Sequence, residues 1–142
     1  MLSWDLSNPA RAYNDDQEVL REYAKIYHWK FDVTGVLRAN YEALVLTDAS
    51  QTILWANKGF EKMTGYTVDY AVGLKPDFLQ GPKTSGESRR DISQNLRRKE
   101  PFKSVIVNYK KSGEEYLCEV RVIPIADATN QVTHFLALER AI

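Results

Sequence analysis

The chain has 142 residues, 44% of them apolar, and nineteen Lys and Arg balance nineteen Asp and Glu. That length is enough for one domain with a real core, and a formal charge of zero argues against a nucleic-acid or anionic-membrane surface. A single cysteine, Cys118, excludes an internal disulfide and a Cys-cluster metal site; no apolar run reaches bilayer-spanning length, and the opening Met1-Leu2-Ser3-Trp4-Asp5-Leu6-Ser7 lacks a secretory signal, which predicts a soluble, cytoplasmic protein.

Residues 1–40 differ in character from the rest. Asn14 followed by Gln17 resembles a capping box, and behind it Val19, Leu20, Tyr23, Ile26, Tyr27 and Phe31 recur at helical spacing, with Glu18, Arg21, Glu22 and Lys25 opposite. The spacing predicts an amphipathic helix of about four turns. Its apolar stripe must be covered, either by the chain's own domain or by a second copy in a homodimer. Gly35 and Asn40 punctuate the approach to the first strand.

From Ala43 the period shifts. Ala43–Thr47 and Thr52–Ala56 read as a hairpin about Asp48-Ala49-Ser50-Gln51. Asn57 is placed to cap a helix carrying Phe60 and Met63 and closed by Gly65, and Thr67 to cap a shorter one ending near Ala71. Gly73–Gly81 then reads as a lid: Pro76 suits a first helical position, Phe78 and Leu79 are its apolar anchors, and Gly81 suits a left-handed exit. Ser85–Lys99 is a polar surface helix with Ile92 and Leu96 as a thin apolar face.

Three further strands follow, at Ser104–Tyr109, Tyr116–Ile125 and Val132–Arg140, separated by turns at Lys110–Glu114 and Ala126–Asn130. Two strands, short helices and three strands make an α+β order with a five-stranded antiparallel sheet. The expected division is a helical extension over 1–40 and a sheet domain over 41–142.

Leu46-Thr47-Asp48, Trp55-Ala56-Asn57-Lys58-Gly59-Phe60, Met63-Thr64-Gly65-Tyr66 and Asn108-Tyr109-Lys110-Lys111-Ser112-Gly113 occur in this element order, and together they resemble PAS domains over about residues 42–140. Phe78-Leu79-Gln80-Gly81, with Gly73 ahead of it, further resembles the LOV (light, oxygen, voltage) subfamily of flavin-binding blue-light sensors, whose signature is Gly-x-Asn-Cys-Arg-Phe-Leu-Gln-Gly. The resemblance implies the PAS fold, a sensory or protein-interaction role in signal transduction, and an inward face made by Val45, Thr47, Leu79, Ile106, Asn108, Cys118, Val120, Ala137 and Glu139. The matching pocket positions that would hold a ligand are Asn108, Gln80, Cys118, Glu139, Thr47 and Leu79.

The match fails where the family does its chemistry. Pro76 stands at the adduct-forming cysteine, Lys75 at the preceding Asn, and Asp77 at an Arg that meets the flavin phosphate, so a repelling carboxylate replaces a pairing cation. The second phosphate Arg aligns with Ser93; Arg89, Arg90, Arg97 and Arg98 are nearby, and the plain reading of them is a solvated helix face. On the sheet, Asn108 is kept, but Cys118 replaces an Asn and Glu139 the signal-relaying Gln. Burial would favour a neutral Glu139 unless Lys75 or an Arg paired with it. Cys118 reads either as a relocated thiol or redox sensor, or as a small buried hydrophobe on the face of Tyr116, Val120 and Val122.

The leading expectation is therefore a sensory or interaction module of LOV-like descent without cysteinyl-flavin photochemistry and without a resident cofactor. The alternative is noncovalent binding of riboflavin, FMN or FAD in a cysteine-less photosensor or redox sensor. The expected partners are a second copy, through the N-terminal helix or the outer sheet face, or an unidentified protein in trans, with no nucleic acid and no membrane. The last strand reaches almost to Ile142 with no kinase, cyclase or DNA-binding module after it, so the chain is expected to act in trans or to be a fragment. Asp48, Glu115, Glu119 and His134 are titratable but sit in no motif that demands catalysis, and an enzyme is not expected.

Overall fold

A computed structural model describes residues 9–142, which fall into two compact units: the residues up to Asn40 together with Ala126–Gln131, and Tyr41–Ile125 together with Val132–Ile142. The reading of the opening Met1–Ser7 lies outside the described residues.

In the first unit, helix α1 spans Pro9–Tyr27, so it starts ahead of the expected cap and Asn14 lies inside it. His28, at φ 55°, ends the helix in the left-handed region, and Trp29 N–H closes the last turn on Ala24 O at 3.0 Å. Phe31 is thus beyond the helix rather than on its stripe, and packs edge-on against Trp29 at 6.4 Å between ring centroids. Leu20 is buried, Tyr23 stacks between Tyr27 and Trp29, and Ile26 and Tyr27 are exposed. A short helix, α2 (Val33–Val36), occupies the stretch expected to be a plain connection, with Gly35 inside it. The turn at Ala126–Gln131 belongs to this unit: Trp29 bridges Asp127, and Lys30 N–H donates to Ala126 O at 3.0 Å.

The second unit is a five-stranded antiparallel sheet in the order β2-β1-β5-β4-β3, with β1 Ala43–Asp48, β2 Ile53–Ala56, β3 Phe102–Tyr109, β4 Glu115–Ala126 and β5 Val132–Ala141. The chain's middle supplies its helices: α3 (Lys58–Thr64), α4 (Val68–Ala71), a 3₁₀ turn at Pro76–Leu79 and α5 (Gly86–Arg98). Register fixes which side chains share a face, with Val45 opposite Ala137, Thr47 opposite Phe135, Ile106 opposite Cys118 and Asn108 opposite Tyr116. Both faces of the central strands are buried: Leu44, Leu46, Leu136 and Leu138 on one side, Ala43, Val45 and Glu139 on the other.

Capping residues act as their types predict. Asn57 Oδ1 accepts from Phe60 N–H at 3.0 Å and also from Leu44 N–H of β1 at 2.9 Å, so one amide both starts α3 and ties it to the sheet. Gly65 ends α3 at φ 81°, and Thr67 caps α4 through Tyr70 N–H. Phe60, fully buried, joins Ala43, Val45, Ile53, Met63 and Leu79 in the core.

Candidate functional site

The lid is a strap fastened at both ends. At its start Gly73, at φ 92°, donates to Ile53 O at 2.9 Å, and Leu74 O accepts from Ile53 N–H at 2.8 Å. Pro76 opens the 3₁₀ turn as its type predicts, since the turn's first N–H has no partner to lose. Phe78 N–H donates to Lys75 O at 3.1 Å, and the Phe78 ring meets Tyr66 edge-on at 5.1 Å. Leu79 points down and is buried.

The exit differs from expectation. Gln80 leaves the turn in an extended conformation, at φ −80° and ψ 161°, and Gly81 is not left-handed. Glycine is needed there for room: the Tyr109 ring lies where a Cβ would stand. Beyond it Thr84 Oγ1 accepts from Gly81 N–H at 3.0 Å and donates to Val107 O at 2.6 Å, and Lys83 N–H donates to Tyr109 Oη at 2.9 Å. The strap is thereby pinned to β2 at one end and to β3 at the other.

Between strap and sheet lies a cavity of about 160 Å³. Its floor is Val45 and Thr47 of β1, Ile106 and Asn108 of β3, Val120 and Val122 of β4, and Phe135, Ala137 and Glu139 of β5. Its roof is Lys75, Pro76, Asp77, Leu79 and Gln80 of the strap with Ile92 and Leu96 of α5. Alternation along the strands had placed most of the floor in advance. Phe135 and Val122 lie on the same alternating faces and extend it, and the two apolar residues of the polar helix, read as a thin packing stripe, turn out to close the roof.

Five of the six sequence-derived pocket positions line this space: Asn108, Gln80, Glu139, Thr47 and Leu79. Cys118 does not. It is fully buried in β4 on the same face of the sheet, across from Ile106, with its Sγ 3.7 Å from Glu139 Oε1, and burial with the neighbouring carboxyl pushes its thiol well up from the ordinary range. A thiol so held is protonated and weakly nucleophilic, which favours its reading as a small buried hydrophobe.

The polar part of the cavity is concentrated at its deep end. Asn108 is 5% exposed and Glu139 6%. Burial raises the Glu139 carboxyl from 4.5 to about 7, with only the Cys118 thiol opposing the shift. Among the described residues no cation pairs with it: Arg140 turns instead to Glu119, at 3.1 Å, and Lys75 stays exposed at the rim. Tyr116 Oη, opposite Asn108 in the register, is buried with no full hydrogen bond among the described residues, and burial pushes its phenol up against the pull of the Asn108 amide beside it. Thr47 Oγ1 is satisfied by its own strand, donating to Asp48 O at 2.9 Å. Arg89, one of the arginines on α5, reaches Gln80 Oε1 at 2.5 Å and Gly81 O at 3.3 Å, and so ties the helix to the strap.

The sequence that builds this sheet and strap matches the family model of the PAS domain across residues 42–140. The chain belongs to the PAS domain family. Its relatives include a blue-light photoreceptor of Listeria innocua, 32% identical over 78% of this chain and 45% of that protein, and a nitrogen fixation regulatory protein of Klebsiella oxytoca, 29% identical over 70% of this chain and 20% of that one. This PAS chain thus spans between a fifth and a half of the length of those two curated relatives. Among solved structures it resembles the LOV domain of the blue-light activated histidine kinase EL346 of Erythrobacter litoralis, with a TM-score of 0.68 and 28% identity over 74% of this chain and 98% of that one. The LOV-like reading of Phe78–Gly81 therefore has LOV proteins among its relatives, and the role common to them is sensory signalling.

Proposed function

We propose that this PAS module senses a small planar ligand held noncovalently between strap and sheet, and signals without a cysteinyl-flavin adduct. The observation that carries the reading is the cavity itself: it has an apolar floor and roof, one buried polar end, and Pro76 in the roof at the position that matches the family's reactive cysteine. Proline has no nucleophilic atom, and the one thiol of the chain, buried against Glu139, is outside the lining.

FMN and FAD do not fit these residues. Asp77 at the rim repels a phosphate, the position of the second phosphate Arg is Ser93, and Glu139, once ionised, only accepts, so it opposes the carbonyl oxygens of a flavin edge. The volume is also small for three fused rings, since pockets for drug-sized ligands begin at roughly 300 Å³. Riboflavin escapes the phosphate objection alone. Ligand occupancy would be passed on through the sheet to a second copy or to a protein partner, and Ile26 and Tyr27 on α1 and Val105 and Leu117 on the sheet are exposed apolar residues available for such contacts. No catalytic step is proposed.

An absorption spectrum of the freshly purified protein, repeated after incubation with riboflavin, FMN and FAD and removal of unbound ligand, tests the flavin part. The expected spectrum has no structured band near ~450 nm, the range in which oxidised flavin absorbs. A retained flavin band would instead make the protein a noncovalent flavin sensor.

A further inference from the structure

Glu139 is the feature that the fold does not explain. Its carboxyl is 6% exposed, it lines the deep end of an otherwise largely apolar cavity, and among the described residues its side chain has one hydrogen-bond partner, the Cys118 thiol on Oε1 at 3.7 Å. A thiol is a weak donor, and Oε2 has no donor among the described residues. A buried carboxyl left in this state is costly, and the cost falls sharply when a ligand supplies two N–H groups side by side.

Resting on the reading of the cavity as a ligand site, we infer that the ligand is a one- or two-ring heterocycle with an adjacent pair of N–H donors, of the 2-amino-4-oxopyrimidine kind found in pterins and guanine. The amino N–H and the neighbouring ring N–H bind the two oxygens of Glu139 in parallel, and the Asn108 amide, which both donates and accepts, meets the ring substituent beside them. A flavin or uracil edge has the opposite pattern, a single N–H between two carbonyl oxygens, and sets an acceptor against a carboxylate oxygen. Size agrees. A cavity of roughly 150 Å³ holds one benzene ring, and this one, at about 160 Å³ with Lys75 and Asp77 exposed at its rim, takes one ring inside and leaves the second toward the rim. Val45, Ala137 and Leu79 supply the flat apolar walls.

Pterin and lumazine separate the two patterns, because they are alike in size and differ in whether an amino group or a carbonyl stands at the 2-position. Binding of each, and of riboflavin, is measured by calorimetry at about pH 7, where the Glu139 carboxyl is partly ionised and the ring N–H of pterin and lumazine is still in place. The expected result is pterin tighter than lumazine by about tenfold or more, the worth of one charge-assisted hydrogen bond gained and one repulsion avoided, and tighter than riboflavin. Glu139→Gln, shown folded by circular dichroism, is expected to bring pterin and lumazine to within about threefold of each other. Lumazine or riboflavin binding as tightly as pterin, or a pterin preference that survives Glu139→Gln, would overturn the assignment and leave a ligand site of other chemistry. Failure of all three to bind at millimolar concentration would overturn both the assignment and the ligand-site reading.

Discussion

The Cys118 thiol and the Glu139 carboxyl face each other across β4 and β5 at 3.7 Å, and the thiol is the carboxyl's one side-chain partner among the described residues. The carboxyl is buried and lifted from 4.5 to about 7. The folded protein therefore holds a proton that the unfolded chain has released between these values. Glu139's contribution to stability is full below about pH 4.5 and is lost as pH rises through 7, a swing of about 3 kcal/mol. His134, whose pKa burial lowers, works in the opposite sense, so the comparison must be made between variants. Melting temperatures from pH 5 to pH 8 should fall for the wild type relative to Glu139→Gln, and the two curves should cross or converge toward acid. Parallel curves would show that the carboxyl does not titrate in this window.

Tyr116 Oη is buried beside the Asn108 amide without a full hydrogen bond among the described residues. Removing an unsatisfied hydroxyl while keeping the ring restores what burial has cost, so Tyr116→Phe should be neutral or stabilise by about 1 kcal/mol. Urea denaturation checks it. A loss of more than about 1 kcal/mol would mean that the phenol has a partner in solution.

Gly81 lies against the face of Tyr109, and a methyl group there collides with the ring. Gly81→Ala should cost about 2 kcal/mol, in the range of overpacked sites. The double variant with Tyr109→Ala should recover part of that loss, because the clash is gone. If the two losses simply add, the close approach is not the cause.

Asn57 Oδ1 serves two backbone donors, Phe60 N–H of α3 and Leu44 N–H of β1. Asn57→Ala removes a cap and leaves a sheet N–H buried, which together should cost about 3 kcal/mol. Asp, which retains the accepting oxygen, should recover more than half. Equal losses for Ala and Asp in thermal denaturation would argue against the double bond as the cause.

The caps at Asn57 and Thr67, the helix stop at Gly65 and all five strands could be read from the sequence, because each rests on local chemistry: a side-chain acceptor, a positive φ, a period of two. The cavity floor was legible for the same reason. What escaped were features set by contacts distant in sequence. Gly81 looked like a helix stop, and only the Tyr109 ring from β3 reveals it as a point of close approach. Cys118 shares the alternation of the lining residues, but its burial against Glu139 depends on how β4 and β5 pack. That Ile92 and Leu96 close a roof over space follows from the position of α5, which no periodicity encodes. Asn14 and Gln17 match a capping box in type and spacing yet lie inside α1, so that pattern alone does not mark a helix start.

The two strands that hold the strap, β2 and β3, are the two edges of the sheet. The nine residues from Gly73 to Gly81, fastened at Ile53 on one side and through Thr84 and Tyr109 on the other, therefore act as the string of a bow whose limb is the whole sheet. A bow cannot flatten without tightening its string. Leu79 and Gln80, which roof the cavity from this string, are thereby joined to both margins of the sheet at once.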